Sequence, residues 1–198
     1  MLLYDSPVSG NCFKVRLLLA QLGMPYERRH VDVVDRSNRR ELLGDLNPAL
    51  RVPTLVFDDG RSLGESGAIL WYLGDGTQYV PSEPWDRAKA LQWMFFEQYS
   101  HEPNVAVARF WLHELGGPPS QEALAEKQGL GYLALDALEQ GLTGRGFLVG
   151  DAYSIADIAL YAYTHVAAEG GFVLDGYPSI RGWLDSVAAQ PGHVPITA

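Results

Sequence analysis

The spacing of apolar positions changes character partway along the chain. Over the first 74 residues, short runs suited to strands alternate with stretches at helical period. Leu2 to Tyr4 predicts a strand, and Val15, Leu18, Leu19 and Leu22 follow at helical spacing until Gly23 ends the helix. Tyr26 to Val33 predicts a second strand and Ser37 to Leu46 a short helix. Thr54 to Phe57 and Ser62-Leu63 flank Asp58-Asp59-Gly60, a strong hairpin signal, and Ala68 to Leu73 closes this part as a helix. The order β-α-β-α-β-β-α calls for a parallel pair joined by a helical crossover and an antiparallel pair after it.

Asp75 to Asp86 holds Gly76, Pro81 and Pro84 with no helical period, which reads as a linker. Everything beyond it has helical patterning. Asp86 to Leu115 predicts a long helix that Pro103 must kink or split, because proline has no N–H for the preceding turn. Ser120 to Leu142 predicts another with Ser120 as N-cap. Ser154-Ile155-Ala156-Asp157 opens a third with a serine cap and an acid three residues later, and Ser179 to Ala189 a last one. The fold class predicted is α/β followed by all-α: an α/β domain over 1–78, a linker over 79–86 and a helical domain over 87–198.

Composition narrows the function. Hydrophobic residues make up 47% of the 198 and charged residues 20%, as in a globular protein with a sizeable core. The net charge of -9 is uneven: residues 1–78 carry 9 Lys+Arg against 10 Asp+Glu, the remainder 6 against 14. An acidic second part argues against nucleic acid, which needs a basic footprint. No run approaches the roughly 20 apolar residues of a membrane span, so no membrane partner is expected. The single cysteine cannot form an intramolecular disulfide, and the first residues lack a secretion signal, so a cytoplasmic location is expected.

Candidate chemistry concentrates in Ser6-Pro7-Val8-Ser9-Gly10-Asn11-Cys12-Phe13-Lys14-Val15-Arg16-Leu17, which sets a hydroxyl, an amide and the only thiol within four positions. Ser9 precedes a helical run, so it can cap that helix or offer its proton to a ligand. Cys12 shares a face with Val15 and Leu19, which favours burial; a thiol in a first helical turn would otherwise gain thiolate character. There is no Cys-x-x-Cys for a dithiol cycle.

Two more stretches complete a pattern: Asn47-Pro48-Ala49-Leu50-Arg51-Val52-Pro53-Thr54-Leu55 and Leu63-Gly64-Glu65-Ser66-Gly67-Ala68-Ile69-Leu70-Trp71-Tyr72-Leu73. With the opening stretch, the domain order and the Ser154 to Asp157 cap beside Phe147-Leu148-Val149-Gly150-Asp151, the chain resembles the cytosolic glutathione transferase family along essentially its whole length. The resemblance implies a thioredoxin-like first domain and an all-helical second one, glutathione as co-substrate, no metal, and a homodimer.

The resemblance also implies roles. Ser9 falls where serine-type members such as the zeta class keep their catalytic serine, and Ser9-Gly10-Asn11 resembles the Thr-Pro-Asn of the bacterial Nu class, making Asn11 a second donor. A cis Val52-Pro53 bond would turn the Val52 N–H and C=O outward to pair with the extended peptide. Glu65 and Ser66, at a helix start, would receive the α-amino-acid end of the γ-glutamyl group, since a helix N-terminus favours a carboxylate and Glu65 an ammonium. Arg51 would take the glycine carboxylate or stand as a surface arginine. Val8 from the loop, with Tyr99 and Arg109 from the long helix, are candidates for the wall around a hydrophobic electrophile; core or dimer packing is the alternative. His101 is expected to be a satisfied or exposed histidine. Three functions stay open: conjugation of glutathione to an electrophile in detoxification, glutathione-dependent disulfide reduction, and non-catalytic binding on the same fold.

Overall fold

The first apolar run becomes β1 (Leu2–Asp5), an inner strand of a four-stranded sheet ordered β2-β1-β3-β4 in the computed structural model, which describes residues 1–198. β1 runs parallel to β2 (Glu27–His30), with Leu2 opposite Glu27, across the crossover helix α1 (Gly10–Gln21). It runs antiparallel to β3 (Thr54–Val56), with Leu3 opposite Leu55, and β4 (Ser62–Gly64) completes the hairpin. Two helices, α2 (Arg39–Leu43) and α3 (Ser66–Gly74), finish the β-α-β-α-β-β-α order. Leu3 and Leu55 are fully buried, as are Val15, Leu18 and Leu19 of α1 and Ile69 and Leu70 of α3; Tyr4, Val31 and Leu43 form a further cluster. The edge strand β2 is exposed throughout and reads Glu-Arg-Arg-His, a charged edge that discourages pairing with another chain.

Two compact units divide the chain: Met1–Thr77 together with Pro191–Ala198, and Gln78–Gln190. Placing 191–198 in the helical domain is therefore corrected, since this tail returns to the first unit. The return explains part of a second departure from the pattern. α1 is buried from Cys12 through Leu19, Lys14 and Arg16 included, although such charged side chains are rarely buried without partners. The tail covers the Arg16 side, where Arg16 Nη2 donates to the Ile196 carbonyl and the Phe13 ring meets His193 edge-on at 6.5 Å, whereas Lys14, on a different side of the helix, turns to Asn11.

The second unit is helical: α4 (Pro84–Phe96), α5 (Glu102–Arg109), α6 (Gln121–Leu142), α7 (Ile155–Thr164) and α8 (Pro178–Ala188). The long helix expected over Asp86 to Leu115 is split close to Pro103, into α4 and α5. A wide π-type turn at Glu97–His101, closed by the Glu102 N–H on the Glu97 carbonyl, sets the proline in the first turn of α5, where no N–H is required. The segment read as a linker is partly built in: Tyr79 and Val80 are buried, and the Tyr79 carbonyl accepts from the Ile155 N–H. Every residue of α7 is buried. Its start is a full capping box. Asp157 Oδ1 accepts from Leu148 N and Trp183 Nε1, each at 2.9 Å, and Oδ2 from Ser154 N at 2.9 Å and Ser154 Oγ at 3.0 Å. Burial nonetheless pushes the Asp157 carboxyl up to about 6 against those four donors. No helix is long and apolar enough to cross a membrane.

Candidate functional site

β1 ends at Asp5, and the loop that follows is pinned before it reaches Ser9. Arg16, buried in α1, pairs with Asp5 and donates to the carbonyls of Ser6 and Pro7, each at 3.2 Å; Arg28 binds the other Asp5 oxygen. Ser9 N then donates to Ser6 O at 3.1 Å. Ser9 is the N-cap of α1, with extended backbone and its Oγ accepting from Cys12 N at 3.3 Å. Accepting uses a lone pair and leaves the hydroxyl proton available, so capping and donating to a ligand are compatible. The sequence presented them as alternatives.

The Ser9 hydroxyl also reaches the Cys12 thiol. That thiol is fully buried, and burial, then the charge on Asp5, pushes it up to about 12. Cys12 is therefore a neutral, inert core group and a weak hydrogen-bond partner.

Asn11, half-buried as the second residue of α1, is fixed by two neighbours. Lys14 Nζ lies 2.7 Å from Asn11 Oδ1, and Ser66 Oγ donates to the same oxygen at 3.2 Å. Residues 55 positions apart in sequence thus meet at the N-terminal ends of α1 and α3.

The turn before β3 is organised by Asn47, a residue to which sequence reasoning gave no role. Its Nδ2 donates to Arg51 O at 3.2 Å and Thr54 Oγ1 at 2.9 Å, and its Oδ1 accepts from Ala49 N. An Asn-Pro pair as turn initiator was the available signal. Gly64 is needed opposite, because a Cβ there would come within 2.7 Å of Asn47 Nδ2. The Val52-Pro53 bond is cis, and neither the N–H nor the C=O of Val52 has a main-chain partner.

Glu65 caps α3 with φ 63 and ψ 114, a left-handed value that non-glycine residues rarely adopt and that recurs at ligand-binding positions. Its side chain is exposed and makes no cap hydrogen bond, while Ser66 is buried in the first turn. Arg51 is exposed on a cavity of about 430 Å³ that it shares with Arg36, Arg39 and Arg40. Burial holds the Arg39 guanidinium below its ordinary range, and the charges of Arg36 and Arg51 lower it further, so this corner is short of negative charge.

The wall candidates fare differently. Val8 is half-buried in the first unit. In the second, Tyr99 is 87% exposed, but Arg109 is buried, its Nε donating to Glu169 at 2.6 Å with Glu114 3.8 Å from Nη2. Arg109 therefore serves an ion pair, the packing alternative. His101 is buried against Thr164 Oγ1 at 3.0 Å; that hydroxyl spends its proton on Leu160 O, so His101 Nε2 is the donor. No group of three metal-ligating side chains comes together.

The fold is that of a thioredoxin-like domain joined to a helical one. Comparison with known proteins agrees: the family model for the N-terminal domain of glutathione S-transferases matches residues 3–77, and that for the C-terminal domain matches 90–191. The crystal structure of a glutathione S-transferase from Pseudomonas fluorescens superposes with a TM-score of 0.96 at 48% identity, covering 100% of this chain and 98% of that one. Glutathione S-transferase 3 of Zea mays is 28% identical over 96% of this chain and 89% of its own length. The disulfide-bond oxidoreductase YfcG of Escherichia coli is also 28% identical, over 96% of this chain and 91% of its own. The chain belongs to the glutathione S-transferase family and is an enzyme of transferase type.

Proposed function

We propose that this enzyme binds glutathione in the first unit, holds its sulfur as a thiolate on Ser9 with help from Asn11, and directs it at a hydrophobic electrophile. The observation that carries the reading is the Ser9 hydroxyl at the start of α1, engaged as an acceptor by Cys12 N–H and otherwise meeting only the neutral Cys12 thiol, which competes weakly for its proton. A hydrogen bond to a charged group is worth about 1.5 to 3 kcal/mol and a helix N-terminus about 0.3 to 1 kcal/mol. At about 1.36 kcal/mol per unit, they lower a thiol of ordinary pKa near 8.5 by roughly 1 to 3 units. That ionises much of it at neutral pH. Glutathione supplies the reacting thiol because the protein's own is buried and protonated.

Val52 offers its unpartnered main-chain groups to the cysteinyl residue, as one strand does to another. Ser66 and the N-terminus of α3 receive the γ-glutamyl carboxylate, Glu65 the ammonium, and Arg51 in its arginine-rich corner the glycine carboxylate. Val8 and Tyr99 are the contacts proposed for the electrophile. A homodimer and a cytoplasmic, detoxifying role complete the reading; sedimentation of the purified protein tests the dimer. The deciding experiment is Ser9→Ala: conjugation of an activated aryl halide is lost while retention on immobilised glutathione persists. Unchanged turnover overturns the assignment of Ser9, and failure of the wild-type protein to be retained favours a binding or scaffold role.

A second reading, glutathione-dependent disulfide reduction, is favoured by Asn11 two residues after Ser9 and by the similarity to the E. coli disulfide-bond oxidoreductase. Thiol-disulfide exchange needs the same stabilised thiolate and little pocket beyond it. A higher rate on a small mixed disulfide than on the aryl halide would select it.

A further inference from the structure

Lys14 lies at the end of the first turn of α1, is only 1% exposed, and brings its ammonium to 2.7 Å from Asn11 Oδ1. A lysine ammonium has three donors and no acceptor, so the Asn11 atom facing it must be the carbonyl oxygen. The half-turn ambiguity of an amide is thereby resolved by charge, and the NH2 end is the one turned away from Lys14. Ser66 Oγ donates to the same oxygen at 3.2 Å and reinforces the choice.

We infer that Lys14 is a positioning residue: it holds the Asn11 side chain with its N–H groups presented as donors and, from behind the amide, adds the field of a buried positive charge that favours a thiolate in front of it. This rests on the reading of Asn11 as a donor to the glutathione sulfur. Burial strengthens the effect, because a charge screened little by water acts further and polarises the amide it touches. The geometry also gives Ser66 a double task. Its single proton lies on Asn11, and a γ-glutamyl carboxylate arriving at the start of α3 competes for it. Lys14 is then the donor that keeps the amide in place once substrate binds.

The experiment reads the thiol pKa of enzyme-bound glutathione from its thiolate absorbance across pH, together with kcat, KM and the unfolding midpoint. Lys14→Met, which keeps the length and removes the charge, is expected to raise that pKa by about one unit, a roughly tenfold loss of thiolate below the pKa, with KM for glutathione changed less than kcat. Lys14→Arg, still a donor-only cation, restores the wild-type value. Asn11→Asp separates positioning from packing: it keeps an acceptor for Lys14 and Ser66, so the unfolding midpoint holds or rises, yet it removes the donor and the thiol pKa rises at least as far. If Asn11→Ala raises the thiol pKa and Lys14→Met does not, the inference about Lys14 fails while Asn11 keeps its role. If Asn11→Ala changes nothing, the reading of Asn11 itself falls. Should Lys14→Met not fold, Asn11→Asp decides: a folded variant with wild-type thiol pKa overturns the proposal.

Discussion

Two serines begin two helices of this protein with nearly the same cap and opposite consequences. Ser154 at the start of α7 and Ser9 at the start of α1 both have extended backbones, and each Oγ accepts a main-chain N–H at 3.3 Å. Three residues on, the first has Asp157 and the second Cys12. Asp157 takes the Ser154 proton, the Ser154 N–H and two further donors, and the cluster is buried. Cys12 offers Ser9 only a neutral, weakly bonding thiol, and Ser9 stays half-buried at the end of a pinned loop. A cap closed by an acid is spent on stability. A cap without one keeps a donor for chemistry.

Removing the acid should produce the largest change. Asp157→Ala leaves four buried donors without an acceptor and is expected to cost about 3 to 5 kcal/mol of unfolding free energy, with Ser154→Ala costing about 1 to 2 kcal/mol; urea unfolding measures both. A loss under 1 kcal/mol for Asp157→Ala would erase the contrast between the two caps. Next comes Ser9→Ala, expected to lower kcat/KM for conjugation about 10- to 100-fold at a stability cost of about 1 kcal/mol or less. The reverse outcome, a large stability loss with little kinetic effect, would make Ser9 a second Ser154.

The pH dependence of the acidic cap sharpens the comparison further. A carboxyl raised from its ordinary 3.8 to about 6 holds its proton more tightly folded than unfolded. Its favourable contribution is complete below the unfolded value and is lost as pH rises through about 6. Denaturant midpoints of wild type should thus fall relative to Asp157→Asn between pH 5 and pH 7, and parallel profiles would contradict the burial-driven shift. The smallest effect is expected at Cys12: iodoacetamide at mildly alkaline pH should leave it unmodified in the native protein and label it after unfolding, as mass spectrometry reports. Rapid native labelling would mean that the thiol is not the inert group described above.

Much of this was legible beforehand because short-range rules suffice for it. Strand periodicity, the Asp58-Asp59-Gly60 turn, the glycine ending α1 and the serine caps each depend on neighbours within a few residues, and the corresponding elements appear within one to four residues of expectation. Pro103 was legible for the same reason: the local rule forbids an α-helical interior proline, and a π turn just upstream splits the helix so that the proline sits at a helix start. Arg109 was read as a wall residue because its partner Glu169 is 60 positions away.

By itself, the sequence determined the elements, their order, the family, and the set of groups available for chemistry, since these follow from local periodicity and residue type. Tertiary structure alone decided which of those groups have partners. It brought Ser66 to Asn11, folded the tail over Arg16, and buried Lys14 and Cys12 in one helix. Burial and long-range hydrogen bonds set whether a group is charged, neutral or spent, and neither is a function of sequence neighbours. SPVSGNCFKVRL names two serines, an amide, a thiol and two cations; only the fold makes the thiol inert and orients the amide.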